Sequence, residues 1–153
     1  MNQKNTISIA FIRAGWHAEI VNQAFEGFVS TIEDQLPEAA IDIYDVPGSL
    51  EIPLQSQQLA RSGNYQVIVA AGLIVDGGIY RHDFVAQSVL DGMMRVQLDC
   101  SVPILSVVLT PHHFQDTDQH REFFFEHFKL KGVEAAHACL GVLDNRKRLS
   151  RVA

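Results

Sequence analysis

Val67-Ile68-Val69-Ala70-Ala71-Gly72-Leu73-Ile74-Val75 is apolar at odd and even positions alike. A strand with one wet face alternates apolar and polar. An unbroken run needs cover on both faces, which is the condition of a parallel sheet between helices. Asp76-Gly77-Gly78 breaks the run. A helix over about 80–98 follows, with Val85, Val89, Met93 and Val96 on one face. Pro103-Ile104-Leu105-Ser106-Val107-Val108-Leu109-Thr110 is a second run of the same kind. Two helices, about 118–129 and 132–143, complete the C-terminal half. The basic stretch Asn145-Arg146-Lys147-Arg148 opens a tail over 145–153 that reads as a frayed, solvated terminus.

Toward the N-terminus, Ser62-Gly63-Asn64 closes a helix that begins in Val46-Pro47-Gly48-Ser49-Leu50-Glu51-Ile52-Pro53. Pro53 fits there in the first turn, where its missing N–H costs nothing. Ile41, Ile43 and Val46 form a short strand. Pro37 ends an earlier helix whose face carries Val21, Phe25, Phe28, Ile32 and Leu36. The first strand is Ile7-Ser8-Ile9-Ala10-Phe11-Ile12. Strand and helix alternate, so the fold class is α/β: a single three-layer αβα domain with a four-stranded parallel sheet. In such sheets ligands bind beyond the carboxyl ends of the strands. The residues just past each apolar run are therefore the ones to inspect.

Length and charge narrow the function. A chain of 153 residues is one domain, long enough to bury about 68–70% of its unfolded surface without disulfides or structural metal. Hydrophobic residues at 47% with 20% charged exclude a disordered chain. No apolar run approaches the roughly 18–20 residues that span a membrane. A net charge of −6 argues against nucleic-acid binding, though not against a small anionic ligand. Cys100 and Cys139 form no C-x-x-C pair, so they read as buried thiols in a reducing compartment. With no signal-like start, a cytoplasmic protein is expected. Phe123-Phe124-Phe125, followed by Phe128, cannot all face one core, and a homo-oligomer is expected from the surplus.

Four segments carry groups that could do chemistry. Trp16, the single tryptophan, follows the first strand and is either packing or a platform for a flat substrate. Glu51 stands where a helix begins, and can cap it or bind a ligand hydroxyl. Gly77 and Gly78 free backbone N–H groups ahead of a helix, which makes either a tight turn or an anion site. Arg81 adds a fixed positive charge beside it. His82 is the natural proton carrier, with Arg81 and the helix start favouring its neutral form and Asp83 opposing them. His112, His113, His120 and His127 invite a metal reading, but none of them shows i, i+4 zincin spacing. Nucleophile elbow, Walker loop and G-x-G-x-x-G are all absent from the sequence.

Taken together, these segments resemble the 6,7-dimethyl-8-ribityllumazine synthase family. Val46-Pro47-Gly48-Ser49-Leu50-Glu51-Ile52-Pro53 resembles its V-P-G-[AS]-x-E-[IL]-P signature. Gly72 through Val85 resembles a second signature, and Lys131-Gly132-Val133-Glu134-Ala135-Ala136 resembles the start of its last helix. Tyr80-Arg81-His82 and Pro111-His112-His113 are similar to a variant class found in some bacteria. The resemblance implies a flavodoxin-like topology and the penultimate step of riboflavin synthesis. In that step 5-amino-6-(D-ribitylamino)uracil condenses with 3,4-dihydroxy-2-butanone 4-phosphate through a Schiff base, losing phosphate and water. It implies no cofactor and no metal.

By the same resemblance, Trp16 stacks on the pyrimidine, and Ser49, Leu50 and Glu51 hold the ribityl chain. Leu73, Ile74 and Val75 line the ring pocket, and Gly77, Gly78 and Ile79 cradle the phosphate. The family's catalytic histidine column falls on Arg81, with His82 one position later. Arginine cannot act as a base near neutral pH, so His82 is put ahead of Arg81 as the proton carrier; both are taken as catalytic, with Arg81 also a candidate ligand of the leaving phosphate. His120 and Arg121 are the candidates for the family's phosphate-binding arginine, and Ser106 stands where an aromatic is usual. The resemblance further implies pentamer-based assembly, here a decamer with sites shared between subunits. Three rival readings remain at this stage: a flavin-binding assembly with little catalysis, an electron carrier, which would need a hydroxyl- and glycine-rich loop in place of Arg13-Ala14-Gly15-Trp16-His17, and a histidine-rich metal enzyme.

Overall fold

The computed structural model describes residues 6–76, 81–111 and 114–152. Its elements are β1 (Ser8–Ala14), α1 (Ala18–Gln35), β2 (Ala40–Val46), a 3-10 turn (Ser49–Glu51), α2 (Ile52–Ser62), β3 (Val67–Leu73), α3 (His82–Cys100), β4 (Ile104–Leu109) and α4 (Asp118–Ser150). The strands form one parallel sheet in the order β2-β1-β3-β4.

Side-chain alternation builds the three layers. Ile9 and Phe11 of β1, with Val67, Val69, Ala71 and Leu73 of β3, face a core closed by α1 and α4. Ala10, Ile12, Ile68 and Ala70 face a second core closed by α2 and α3. All residues of β3 are buried, as its unbroken apolar run requires.

The helix boundaries follow from local chemistry. α1 gives way at Leu36, the residue before Pro37, where proline disfavours helical backbone. Pro53 occupies the first turn of α2, and Gly63 ends that helix in the left-handed region at φ 73°.

The expected pair of C-terminal helices is instead the single helix α4. Gly132 does not interrupt it, because the glycine serves a packing contact. A Cβ there would lie 2.0 Å from the Ala24 carbonyl oxygen of α1, and one on Gly27 would lie 2.3 Å from that of Lys129. Nor does the basic tail fray at residue 145. The helix continues to Ser150, and Arg146 donates from Nη1 to the Gln66 carbonyl at 2.9 Å. As expected from the phenylalanine run, Phe128 is fully buried and Phe124 packs against the core, while Phe123 and Phe125 are exposed.

β1 feeds α1 on one face of the sheet and β3 feeds α3 on the other. The chain thus diverges between two adjacent strands, and a crevice opens at their carboxyl ends.

Candidate active site

Three strand exits converge on that crevice. After β1, the Gly15 N–H donates to the Val46 carbonyl at 2.9 Å, locking the exits of β1 and β2 together. His17 then takes a left-handed conformation, φ 53° and ψ 47°, immediately before α1. A non-glycine residue held there stores strain, which clusters at functional sites. Between them, Trp16 is 65% exposed. Its pyrrole edge lies against Gly48: a Cβ on that glycine would sit 3.2 Å from both Trp16 Cδ1 and Nε1, and 3.3 Å from Glu51 Oε2. The indole and the carboxylate therefore flank one bare α-carbon. Neither is buried by the protein.

Ser49 is buried, with its hydroxyl against Gly72 of β3, where a Cβ would lie 2.6 Å from Oγ. Leu50 points outward and is exposed. Leu73 and Ile74 are buried in opposite cores, so their side chains pack the sheet and only their backbone borders the crevice. The Ile74 N–H is itself taken by the Leu109 carbonyl at 2.9 Å. Val75 is half-buried against the α1–α4 core.

At the exit of β3 the sequence pointed to Asp83 as the acid beside His82. Instead, His82 pairs with Asp76, whose Oδ1 lies 2.8 Å from the His82 backbone nitrogen and 2.8 Å from its ring Nδ1. Asp83 pairs with Arg81 at 3.1 Å, and the Arg81 guanidinium lies 4.7 Å from the Phe84 ring centroid. The backbone N–H and then the ring of His82 hold the Asp76 carboxyl below its ordinary value, with a smaller contribution from Arg81. Asp76 went unassigned from sequence; its one signal is a carboxylate directly after an apolar run. Gly77, Gly78, Ile79 and Tyr80, and also His112 and His113, lie outside the described residues.

Of the remaining candidates, Ser106 lies in mid-strand, whereas Arg121 and His120 approach the exit of β1 from α4, through Glu19 in the first turn of α1 and through the rings of Phe124, Phe114 and His17. Ser106 is exposed in mid-β4, opposite Ala70, and accepts from the Val108 N–H at 3.2 Å; it is not at the strand's carboxyl end. Arg121 spans the α1–α4 flank, bonding Asp116 at 2.9 Å and Glu19 at 2.7 Å. Both carboxylates, Asp116 foremost, hold its proton more tightly than usual. His120 donates its N–H to Thr117 Oγ1 at 3.3 Å and accepts the Gln115 N–H at ring Nδ1. With Gln119, Phe123 and Phe124 it lines an open hollow of about 380 Å³. His127 stacks on Phe123.

The family model for 6,7-dimethyl-8-ribityllumazine synthase matches residues 6–147, which covers every element from β1 into the basic end of α4. The chain belongs to the lumazine synthase family. It is 55% identical over 142 residues to a 6,7-dimethyl-8-ribityllumazine synthase of Rhodococcus erythropolis, covering 92% of each chain. It is 52% identical over 145 residues to "6,7-dimethyl-8-ribityllumazine synthase 2" of Pseudomonas syringae pv. tomato, covering 94% of this chain and 85% of the relative. A protein of the same name from Bradyrhizobium diazoefficiens is 48% identical over 141 residues, with 92% and 85% covered. Lumazine synthase membership agrees with the strand order β2-β1-β3-β4, the flavodoxin-like topology expected from the resemblance. Among the described residues no helix is long and apolar enough to cross a membrane.

Proposed function

We infer that the chain condenses 5-amino-6-(D-ribitylamino)uracil with 3,4-dihydroxy-2-butanone 4-phosphate to 6,7-dimethyl-8-ribityllumazine, releasing phosphate and water, in riboflavin biosynthesis. One observation carries this reading at the level of the site. The Val46–Pro53 elbow brings the Trp16 ring and the Glu51 carboxylate together against Gly48, beside the crevice into which β1 and β3 open. A flat pyrimidine needs the first group and a polyhydroxy chain needs the second.

In this assignment Trp16 is the stacking platform, and Ser49, Leu50 and Glu51 hold the ribityl chain. The backbone of 73–75 borders the ring. His82 moves protons during Schiff-base formation and ring closure. Arg81, with Gly77, Gly78 and Ile79, takes the phosphate. The reaction comprises Schiff-base formation with loss of water, elimination of phosphate, and ring closure with loss of a second water. Proton transfer, charge stabilisation and orientation are what it asks of the protein, and these side chains supply them.

The chain works as a homo-oligomer in this reading, a dimer of pentamers in the cytoplasm. Exposed Phe123 and Phe125 support a subunit interface. Arg121, which reaches Glu19 in the first turn of α1, and His120 are assigned to the phosphate, and Ser106 to the pyrimidine and ribityl chain.

The test mixes purified protein with both substrates and follows absorbance and fluorescence against the uncatalysed background. Lumazine formed faster than background is expected. A folded protein that gives no acceleration overturns the reading in favour of a flavin-binding assembly. Sedimentation of the same sample tests the decamer.

A further inference from the structure

His82 is the first residue of α3, and its side chain is 14% exposed against 61% for Asp76. One carboxylate oxygen accepts both its backbone N–H and its ring nitrogen. Two bonds from one residue to one oxygen fix the imidazole relative to its own backbone. The ionised carboxylate is an acceptor only, so the ring must present Nδ1–H to it. A neutral imidazole with the hydrogen on Nδ1 keeps its basic lone pair on Nε2. The nearby charges are arranged accordingly: Arg81 is bonded to Asp83 and lies over Phe84, and Asp76 is bonded to the His82 ring.

We propose that Asp76 is a positioning residue for the condensation: it holds His82 in the Nδ1–H tautomer and so makes Nε2 the atom that exchanges protons with the substrates. The proposal rests on His82 being the proton carrier. A proton leaving the substrate adds to Nε2 and gives an imidazolium whose Nδ1–H stays on the Asp76 carboxylate. The same proton then passes from Nε2 to the departing oxygen, and the ring returns to its starting state. Asp76 touches no reacting atom; it aims the ring and stabilises the charged form that appears during transfer.

Two experiments test this. Histidine-labelled wild-type protein is examined by ¹⁵N NMR at a pH where His82 is neutral, with His82→Ala assigning its signals. A protonated Nδ1 is expected, and an Nε2–H tautomer overturns the proposal whatever the activity. In parallel, lumazine formation is measured for wild type, Asp76→Asn, His82→Ala and the double variant. Asparagine keeps an oxygen for the His82 N–H, and circular dichroism verifies the fold. Positioned proton transfer contributes roughly 100- to 10,000-fold, so kcat should fall at least about tenfold in Asp76→Asn with KM little changed. In the His82→Ala background the same substitution should cost nothing further. Wild-type kcat in Asp76→Asn, or an equal loss in both backgrounds, overturns the proposal. If wild type itself fails to beat the background, the lumazine reading has failed, and the tautomer alone decides the Asp76–His82 pairing.

Discussion

Trp16 and Glu51 meet across the bare α-carbon of Gly48, each 3.2–3.3 Å from where a Cβ would stand. Gly48 has an extended backbone, φ −155°, so alanine would suffer no backbone strain there. Its methyl group would instead push apart two side chains that are free to move. Gly48→Ala should therefore leave thermal unfolding nearly unchanged while weakening binding of 6,7-dimethyl-8-ribityllumazine, read from quenching of Trp16 fluorescence. A variant that unfolds early but binds normally would show that the glycine serves the fold instead.

The indole itself carries little stability, being largely exposed. Its contribution should appear only when a flat ring covers it. Stacking of a heterocycle on an aromatic is worth about 1–3 kcal/mol, or roughly 5- to 150-fold in affinity. Trp16→Ala should raise the KM for the ribitylaminouracil by that range with an unchanged melting temperature, and Trp16→Phe should recover most of the loss. Equal KM values for the alanine variant and wild type would remove Trp16 from the site.

Helix α4 offers a paired test of why a glycine sits in a helix. At Gly132 a methyl group would collide with the Ala24 backbone of α1, while at Gly141 it would meet nothing within 4 Å among the described residues. Overpacking costs about 1–3 kcal/mol where neighbours can shift, and two backbones in contact have little room to do so. Gly132→Ala should lower stability by at least that amount. Gly141→Ala should raise it by about 0.5–1 kcal/mol, the ordinary gain of alanine over glycine in a helix. Urea unfolding at one fixed protein concentration measures both.

These contrasts show where sequence reasoning succeeds. The parallel sheet could be read from 67–75 because burial on both faces leaves a local mark. Trp16 and Ser49–Glu51 could be placed because any residue just past a parallel strand lies at the ligand edge. Gly132 misled because its partner, Ala24, is distant in the chain, so an interhelical contact looks like a break. Ser106 shows that family position does not report register: it stands opposite Ala70, short of the strand end. The Asp76–His82 bond was hidden because a loop closes it, and no helical or strand period links the two positions.

That bond has an acid signature. The Asp76 carboxyl is held below its ordinary 3.8 mainly by the His82 backbone N–H, then by the ring. A carboxyl lowered in the folded state stabilises the fold fully above its unfolded value, and the effect is lost as pH falls through the folded one. Asparagine accepts the same N–H but does not ionise. The stability gap between wild type and Asp76→Asn should thus be widest above about pH 5 and should close as the solution is acidified below the ordinary aspartate value. Chemical-denaturation midpoints of the two proteins across that range decide it. A gap that persists undiminished into strong acid would mean the substitution acts by packing, and that the ionised carboxylate contributes nothing to holding His82.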